Sequence, residues 1–286
     1  MSDQLVLRTA RPDDAGICGR ICFEAFQDIS SRHNFPKDFP SVEAATGAVT
    51  SLITHPQVYG VVAELGGQVV GSNFLDERST IAGVGPITVQ PGVQNLGTGR
   101  QLMLEVLSRA ESKGFAGVRL VQAAYHTRSL ALYTKLGFQA RELLACLQGS
   151  PIGVTIPERA VRSATEADLN RCNELCVRVH GHDRAGDLAD AVTAGTATVV
   201  EHDGQITGYA TSTAFFGHAV GETTADIKAI LGAATSFGGP GVLVPARSEL
   251  FPWCLDQGMR VIQTMTLMSI GIYQDPEGAF CPSIFY

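Results

Sequence analysis

Residues 8–22 (RTARPDDAGICGRIC) and 162–176 (RSATEADLNRCNELC) align without a gap. Arg8/Arg162, Ala10/Ala164, Asp14/Asp168, Cys18/Cys172 and Cys22/Cys176 are identical pairs. Self-similarity of this kind means one supersecondary unit built twice in a single chain. The match resumes further on. Gly67-Gln-Val-Val-Gly71 corresponds to Gly204-Gln-Ile-Thr-Gly208, each reading as a turn between two apolar strands, and Leu136-Gly137-Phe138 is echoed by Gln257-Gly258-Met259. A chain of 286 residues has room for two domains of about 140. Breakers between Gly149 and Pro157 mark the linker. The expected division is therefore residues 1–149 and residues 158–286.

Within the first copy, GPITVQPGVQNLGTGRQLMLEVLSR (Gly85 to Arg109) reads as a strand from Pro86 to Gln90, a glycine loop, and an amphipathic helix. Leu102, Met103, Val106, Leu107 and Ala110 share one helical face. The loop runs Gln94-Asn95-Leu96-Gly97-Thr98-Gly99-Arg100. Its glycines allow a sharp turn and leave no side chain in the way of a ligand. The amides of the helix start then point outward with the positive end of the helix dipole, which suits a phosphate. An ordinary strand-to-helix turn would use the same glycines. A dinucleotide fingerprint needs a third glycine, but Arg100, Gln101 and Leu102 follow Gly99. A Walker A loop needs Gly-Lys-Ser/Thr, which is absent from the sequence.

After Gly114 stops the helix, Val118 to Ala123 reads as a buried strand. Then comes HTRSLALYTKLGF, from His126 to Phe138. Gln94-x-x-Gly97-x-Gly99 followed by this segment, at this separation, resembles the acyl-CoA-binding motifs of the GNAT superfamily of N-acyltransferases. That family commonly shows Asn-x-x-Ala/Ser-x-x-x-Tyr-x-x-x-Gly-Phe, and His126 stands where it usually has Asn. The second half resembles the degenerate C-terminal domain of tandem GNAT proteins. It shows no Gly-x-Gly ahead of Glu222 to Ala233, and Cys254 holds the place of Tyr133.

The resemblance implies an α/β fold of α+β type: two tandem GNAT-like domains, each a mostly antiparallel central sheet flanked by helices. It implies acetyl-CoA as co-substrate and an amine acceptor (a small amine, an amino acid derivative or a peptide amine). Thr88, Val89, Gln94, Asn95, Leu96, Gly97, Thr98, Gly99, Arg100, His126 and Ser129 would hold the cofactor. An amide near Val89 would polarise the thioester carbonyl. Tyr133 would be the general acid, since a phenol with a pKa near 10 is protonated at neutral pH. By its spacing alone Tyr133 reads equally as a half-buried helix aromatic. Glu77, beside Asp76 at the end of the preceding strand, is a candidate base; each reads also as a solvated turn charge. His33 and His218 are further candidates, with a structural histidine the simpler reading of His218. A non-catalytic acyl-CoA sensor is the alternative function.

Composition narrows the partners. A net charge of -7 disfavours nucleic acid or an anionic membrane and mildly favours a cationic acceptor. The start MSDQLVLRTARPDD has no basic and apolar leader pattern, and no apolar run approaches the ~18 residues of a membrane span. Seven cysteines without metal-ligand spacing read as free thiols in a cytoplasmic protein, with no metal expected. Cys18/Cys22 and Cys172/Cys176, four residues apart on helices, read as small core residues. Residues 27–40 read as a long polar loop before a helix capped by Ser41 and ending near His55. The apolar closing stretch, from Met265 to Tyr286, is expected to dock as a strand or to cover part of an acceptor cleft. A monomer or a homodimer is expected.

Overall fold

The computed structural model describes residues 4–94 and 96–285. These form two compact units. One comprises the residues up to Glu77, Ile81–Arg119 and Arg128–Phe138; the other comprises Arg78–Thr80, Leu120–Thr127 and everything from Gln139 onward.

In the first unit, β1 (Leu5–Thr9) leads through a 3-10 turn into α1 (Ala15–Arg32), and α2 (Val42–Thr54) follows. Cys18, Ile21 and Cys22 of α1 are buried, with Cys18 and Cys22 packing beside Val49, Val62 and Phe74. The helix extends through residues 27–32, which the sequence reading placed in a loop. No proline occurs between Ala15 and Pro36, and an ion pair from Arg32 to Asp28, one turn apart at 2.9 Å, supports the last turn. Ser41 caps α2, its hydroxyl accepting from the amide of Ala44 at 3.3 Å.

The chain continues as β2 (Val58–Leu65), β3 (Gln68–Asp76), β4 (Ile81–Val84), β5 (Thr88–Val89), α3 (Thr98–Lys113), β6 (Gly117–Ala123) and α4 (Thr127–Lys135). The strand order is β1-β2-β3-β4-β6 with β5 also on β3, antiparallel except for the β4–β6 pair. The strand expected from Pro86 to Gln90 contracts to Thr88–Val89. Pro86 cannot donate to a ladder, and the step from Ser72 to Leu75 on β3 faces a longer step from Val84 to Thr88. α3 buries Leu102, Met103, Val106 and Ala110, and Gly114 ends it in the left-handed region at φ 75°. Full burial of a Leu, Met or Val side chain contributes about 1.5–3 kcal/mol, so this stripe fixes how α3 is seated.

The second unit contains β7 (Gln139–Gln148), β8 (Ala160–Ser163), α5 (Leu169–His180), α6 (Ala185–Thr193), β9 (Thr198–His202), β10 (Gln205–Ala210), β11 (Ala219–Gly221), α7 (Thr224–Ala233), β12 (Val242–Pro245), α8 (Leu250–Asp256), β13 (Arg260–Gly271) and β14 (Ala279–Cys281). β7 lies antiparallel between β13 and β12, and β14-β11-β10-β9-β8 form an antiparallel sheet. The closing stretch thus docks as strands β13 and β14. Residues 211–218 lie outside the strands apart from an isolated bridge between Ala214 and Gly238, and β11 begins at Ala219. β7 lies ahead of the 149–158 linker, yet it packs with the second unit because both its ladders are there.

The internal repeat is physical. Arg8 chelates Asp14 at 2.7 and 2.8 Å and reaches Glu64; Arg162 chelates Asp168 at 2.8 and 2.9 Å and reaches Glu201. Both hairpins carry a bulge at the equivalent place, between Ala63/Glu64 on β2 opposite β3 and between Ile206/Gly208 on β10. The carbonyls of Val70 and Thr207 at those bulges accept from the amides of Gln90 and Glu222, each at 2.8 Å. Among the described residues, no helix is long and apolar enough to cross a membrane.

Candidate active site

Gly97 sits at φ 85° as the residue before α3, a left-handed turn that costs glycine little. It aims the first amides of a 16-residue helix outward. Thr98 at the helix start is buried, while Arg100 is exposed and Leu96, apolar, is 68% exposed on the loop. A Cβ built on Gly99 would stand 3.8 Å from a Val89 methyl and 4.0 Å from one of Leu132. The loop, β5 and α4 therefore converge at Gly99. Asn95 lies outside the described residues.

The other expected site residues divide. Thr88 is buried, paired with Ser72 in the ladder, and its hydroxyl lies 3.4 Å from that of Ser72, so its side chain is used inside the fold. Gln94 donates from Nε2 to the Val89 carbonyl at 3.1 Å, and its Oε1 accepts from Arg128 Nη2 at 2.6 Å. Tyr133, next to Leu132, is buried, hydrogen-bonded to Ser129, and packed edge-on against Phe138 with ring centroids 6.1 Å apart. Burial pushes its phenol up to about 12, and the Ser129 hydrogen bond offsets only part of that rise. Ser129 and Tyr133 are in the first unit, whereas His126 belongs to the second, where its amide closes a turn on the Ala123 carbonyl at 2.9 Å.

Glu77 is engaged by Arg109, which donates to both carboxylate oxygens and lies 4.2 Å over the Tyr59 ring. Asp76 ends β3 opposite Gly83, and His33 is exposed at the end of α1. His218 is buried in the second unit. Its Nε2 is 2.9 Å from the Tyr209 hydroxyl and its Nδ1 is 3.3 Å from Asp187, which also accepts from Arg184 at 2.6 Å. Burial holds this imidazole below its usual pKa, so it is neutral, donating from Nδ1 and accepting at Nε2.

Sequence reasoning missed Arg128. The signal available was a cation in the first turn of a helix with no acid there, against the usual preference.

The second unit has rebuilt the equivalent turn. Eight residues separate Val89 from Thr98, but only two separate Gly221 from Thr224. Asp226 closes this helix start. One oxygen accepts from the amide and hydroxyl of Thr223 at 2.8 and 2.7 Å; the other accepts from Arg159 and Thr207, both at 2.7 Å. The second unit thus has a short capping box of Thr223 and Asp226 where the first unit has the Gly97 turn. At the other end of the unit Tyr133 and Cys254 are true counterparts, their carbonyls accepting from Phe138 at 3.0 Å and Met259 at 3.1 Å.

Residues 23–138 match the family model described as the Acetyltransferase (GNAT) family. This segment is a GNAT acetyltransferase domain. Acyl transfer from acetyl-CoA is the general chemistry of that family, and the domain is of acyltransferase type. The fold is shared across nearly the whole chain with tandem GNAT architecture. A Pyrococcus horikoshii protein assigned as an acetyltransferase has a TM-score of 0.72 at 17% identity, covering 99% of this chain and 92% of its own. A GCN5-related N-acetyltransferase from Sphaerobacter thermophilus gives 0.62 at 16%, covering 95% and 96%. A tandem GNAT protein from the clavulanic acid biosynthesis pathway gives 0.56 at 13%, covering 94% and 98%. No curated protein matches the chain by sequence.

Proposed function

We propose that the chain is an N-acetyltransferase with one working site, in the first unit, which moves the acetyl group of acetyl-CoA to an amine. The supporting observation is the convergence at Gly99: a left-handed Gly97 turn, the N-terminus of α3, the end of β5, and α4 with its buried phenol at Tyr133. In this reading the amides from Leu96 to Arg100 hold the pyrophosphate, and the backbone of Thr88 and Val89 aligns the pantetheine arm.

The amine lone pair attacks the thioester carbonyl carbon. A C–N bond forms and the C–S bond breaks, with oxyanion charge met by an amide near Val89. The departing thiolate takes the Tyr133 proton, and the proton released by the amine restores the phenol. A phenol raised to about 12 is fully protonated at neutral pH, as this role requires. Holding thioester and amine together supplies much of the acceleration.

Glu77 enters the proposal as a structural carboxylate, because Arg109 occupies both its oxygens. The 1–149 segment carries the chemistry. In this reading the 158–286 segment contributes no second cradle of this kind, since a short Thr223–Asp226 capping box replaces the glycine loop at the corresponding helix start. Incubation with acetyl-CoA and a panel of small amines, amino acid derivatives and peptides, read by mass spectrometry, tests the proposal. An acetylated amine supports it; cofactor binding without any acetylated product would favour an acyl-CoA sensor.

A further inference from the structure

Four carboxylate residues are buried among the described residues: Asp14, Glu142, Asp168 and Asp226. Asp14, Asp168 and Asp226 sit at helix starts. Each accepts from a backbone amide and from a well-directed arginine N–H, at 2.7–2.8 Å. Glu142 is built differently. It lies within β7, and its Oε2 stands 2.6 Å from Arg247 Nε without a directed hydrogen bond. The Glu142 side chain is 5% exposed and that of Arg247 64%. The other ion pair of Arg247 is with Asp275, 3.5 Å away and 78% exposed. Burial pushes Glu142 above the usual carboxylate range, and Arg247 offsets only part of that rise. A buried charge is costly unless it is both paired and hydrogen-bonded, so a carboxylate under so loose a cover needs a reason.

The surroundings supply one. Glu142 stands opposite Leu267 and Ala140 opposite Met268, which makes Arg141 an extra residue on β7. Such a bulge re-aims side chains and recurs beside functional sites. Leu144 and Leu267 belong to an apolar cluster against which the half-buried Tyr273 and Ile284 pack. Tyr273 also lies within electrostatic range of Arg247. Arg141 is otherwise engaged: its Nε donates to Ser269 at 2.8 Å, and its guanidinium lies 4.8 Å over the Tyr273 ring. A hard metal ion collects six or more oxygens. One carboxylate flanked by aliphatic and aromatic groups suits an organic ammonium ion instead.

We propose that Glu142 is the floor of a binding site for the ammonium group of a small amine, and that Arg247 is the intramolecular cation which this ligand displaces. The ammonium donates to the carboxylate, and the apolar body of the amine lies against Tyr273 and Leu267. Every residue in the site belongs to the second unit, so the inference is independent of the acyl-CoA reading of the first.

Calorimetric titration of the full chain with benzylammonium chloride and with benzyl alcohol, a neutral analogue of similar shape, tests it. Wild type is expected to prefer benzylammonium roughly tenfold, the scale of one charge-assisted hydrogen bond. Glu142→Gln should bring that ratio to near one. Arg247→Ala should tighten benzylammonium binding about threefold, because the competing cation is gone, and leave benzyl alcohol unchanged. Arg247→Gln repeats the measurement without the charge if the alanine variant is unstable. A general loss of folding would weaken both probes together. A purely structural ion pair would give no preference in wild type or in either Arg247 variant, or a preference that survives in Glu142→Gln; either result overturns the proposal. So does weaker benzylammonium binding by a folded Arg247 variant.

Discussion

Arg8 grips Asp14 through both terminal nitrogens, at 2.7 and 2.8 Å, while its Nε bonds Glu64 at 2.8 Å. The Asp14 carboxylate also accepts from the amide of Arg11 at 2.7 Å, closing the start of α1. Arg162, Asp168 and Glu201 reproduce the arrangement in the second unit, with Asp168 accepting from the amide of Thr165 at 2.8 Å. The motif ties β1, α1 and β2 together in the first unit and β8, α5 and β9 in the second.

Removing this guanidinium leaves a largely buried carboxylate without its partner, since the Asp14 side chain is only 10% exposed. The Arg8→Met variant should lose about 2 kcal/mol of unfolding free energy, at the low end for a pair that remains partly in water. Chemical denaturation measures it. Combining it with Asp14→Asn should cost less than the sum of the single changes, and strict additivity would contradict the coupling.

For Tyr133→Phe, kcat should fall by about 10²-fold or less, with acetyl-CoA affinity nearly unchanged. Because burial pushes the phenol up to about 12, kcat/KM in wild type should show no alkaline limb from this group below about pH 11. Steady-state kinetics and calorimetry on the same preparations separate the two effects, and unchanged turnover would remove Tyr133 from the chemistry.

Much of this was legible in the sequence. The repeat was visible because Arg, Asp and two cysteines recur at fixed spacing for local reasons: a chelated carboxylate and a packed helix face. The Ser41 cap and the Gly114 stop were legible too, each set by a few neighbouring residues. Non-local features were not. That Glu77 is paired with Arg109, or Gln94 with Arg128, depends on residues 32 and 34 positions apart meeting in the fold. The same limit applies to β7, whose partners β12 and β13 lie far along the chain.

Glu77→Gln provides a further check. Losing the paired carboxylate should lower stability by about 1 kcal/mol, given that Arg109 retains its stacking on Tyr59. The acid limb of the kcat/KM profile should superimpose on that of wild type. A limb that disappears in the variant would reinstate Glu77 as a base.

His218 makes stability depend on pH. Its imidazole is held neutral by burial, facing Arg184, Asp187, Tyr209 and Thr211, so its folded pKa lies below that of the unfolded chain. The unfolded state binds the proton more readily, and stability is lost as pH falls below about 6.5. Thermal melts from about pH 8 to pH 5 should show a steeper decline for wild type than for His218→Gln. Parallel curves would exclude this histidine as the titrating group.

The central claim is one acyl-CoA cradle, at the Gly97–Gly99 turn. The most direct measurement is calorimetric titration with acetyl-CoA of wild type and of Gly99→Asp. A Cβ at Gly99 meets nothing closer than 3.8 Å, and an acid at a helix start favours the helix, so the variant should fold. Its carboxylate would compete with the pyrophosphate for the same amides. One site per chain in wild type, abolished in the variant, is the predicted result. Two sites, undiminished binding by Gly99→Asp, or no binding at sub-millimolar cofactor would contradict it.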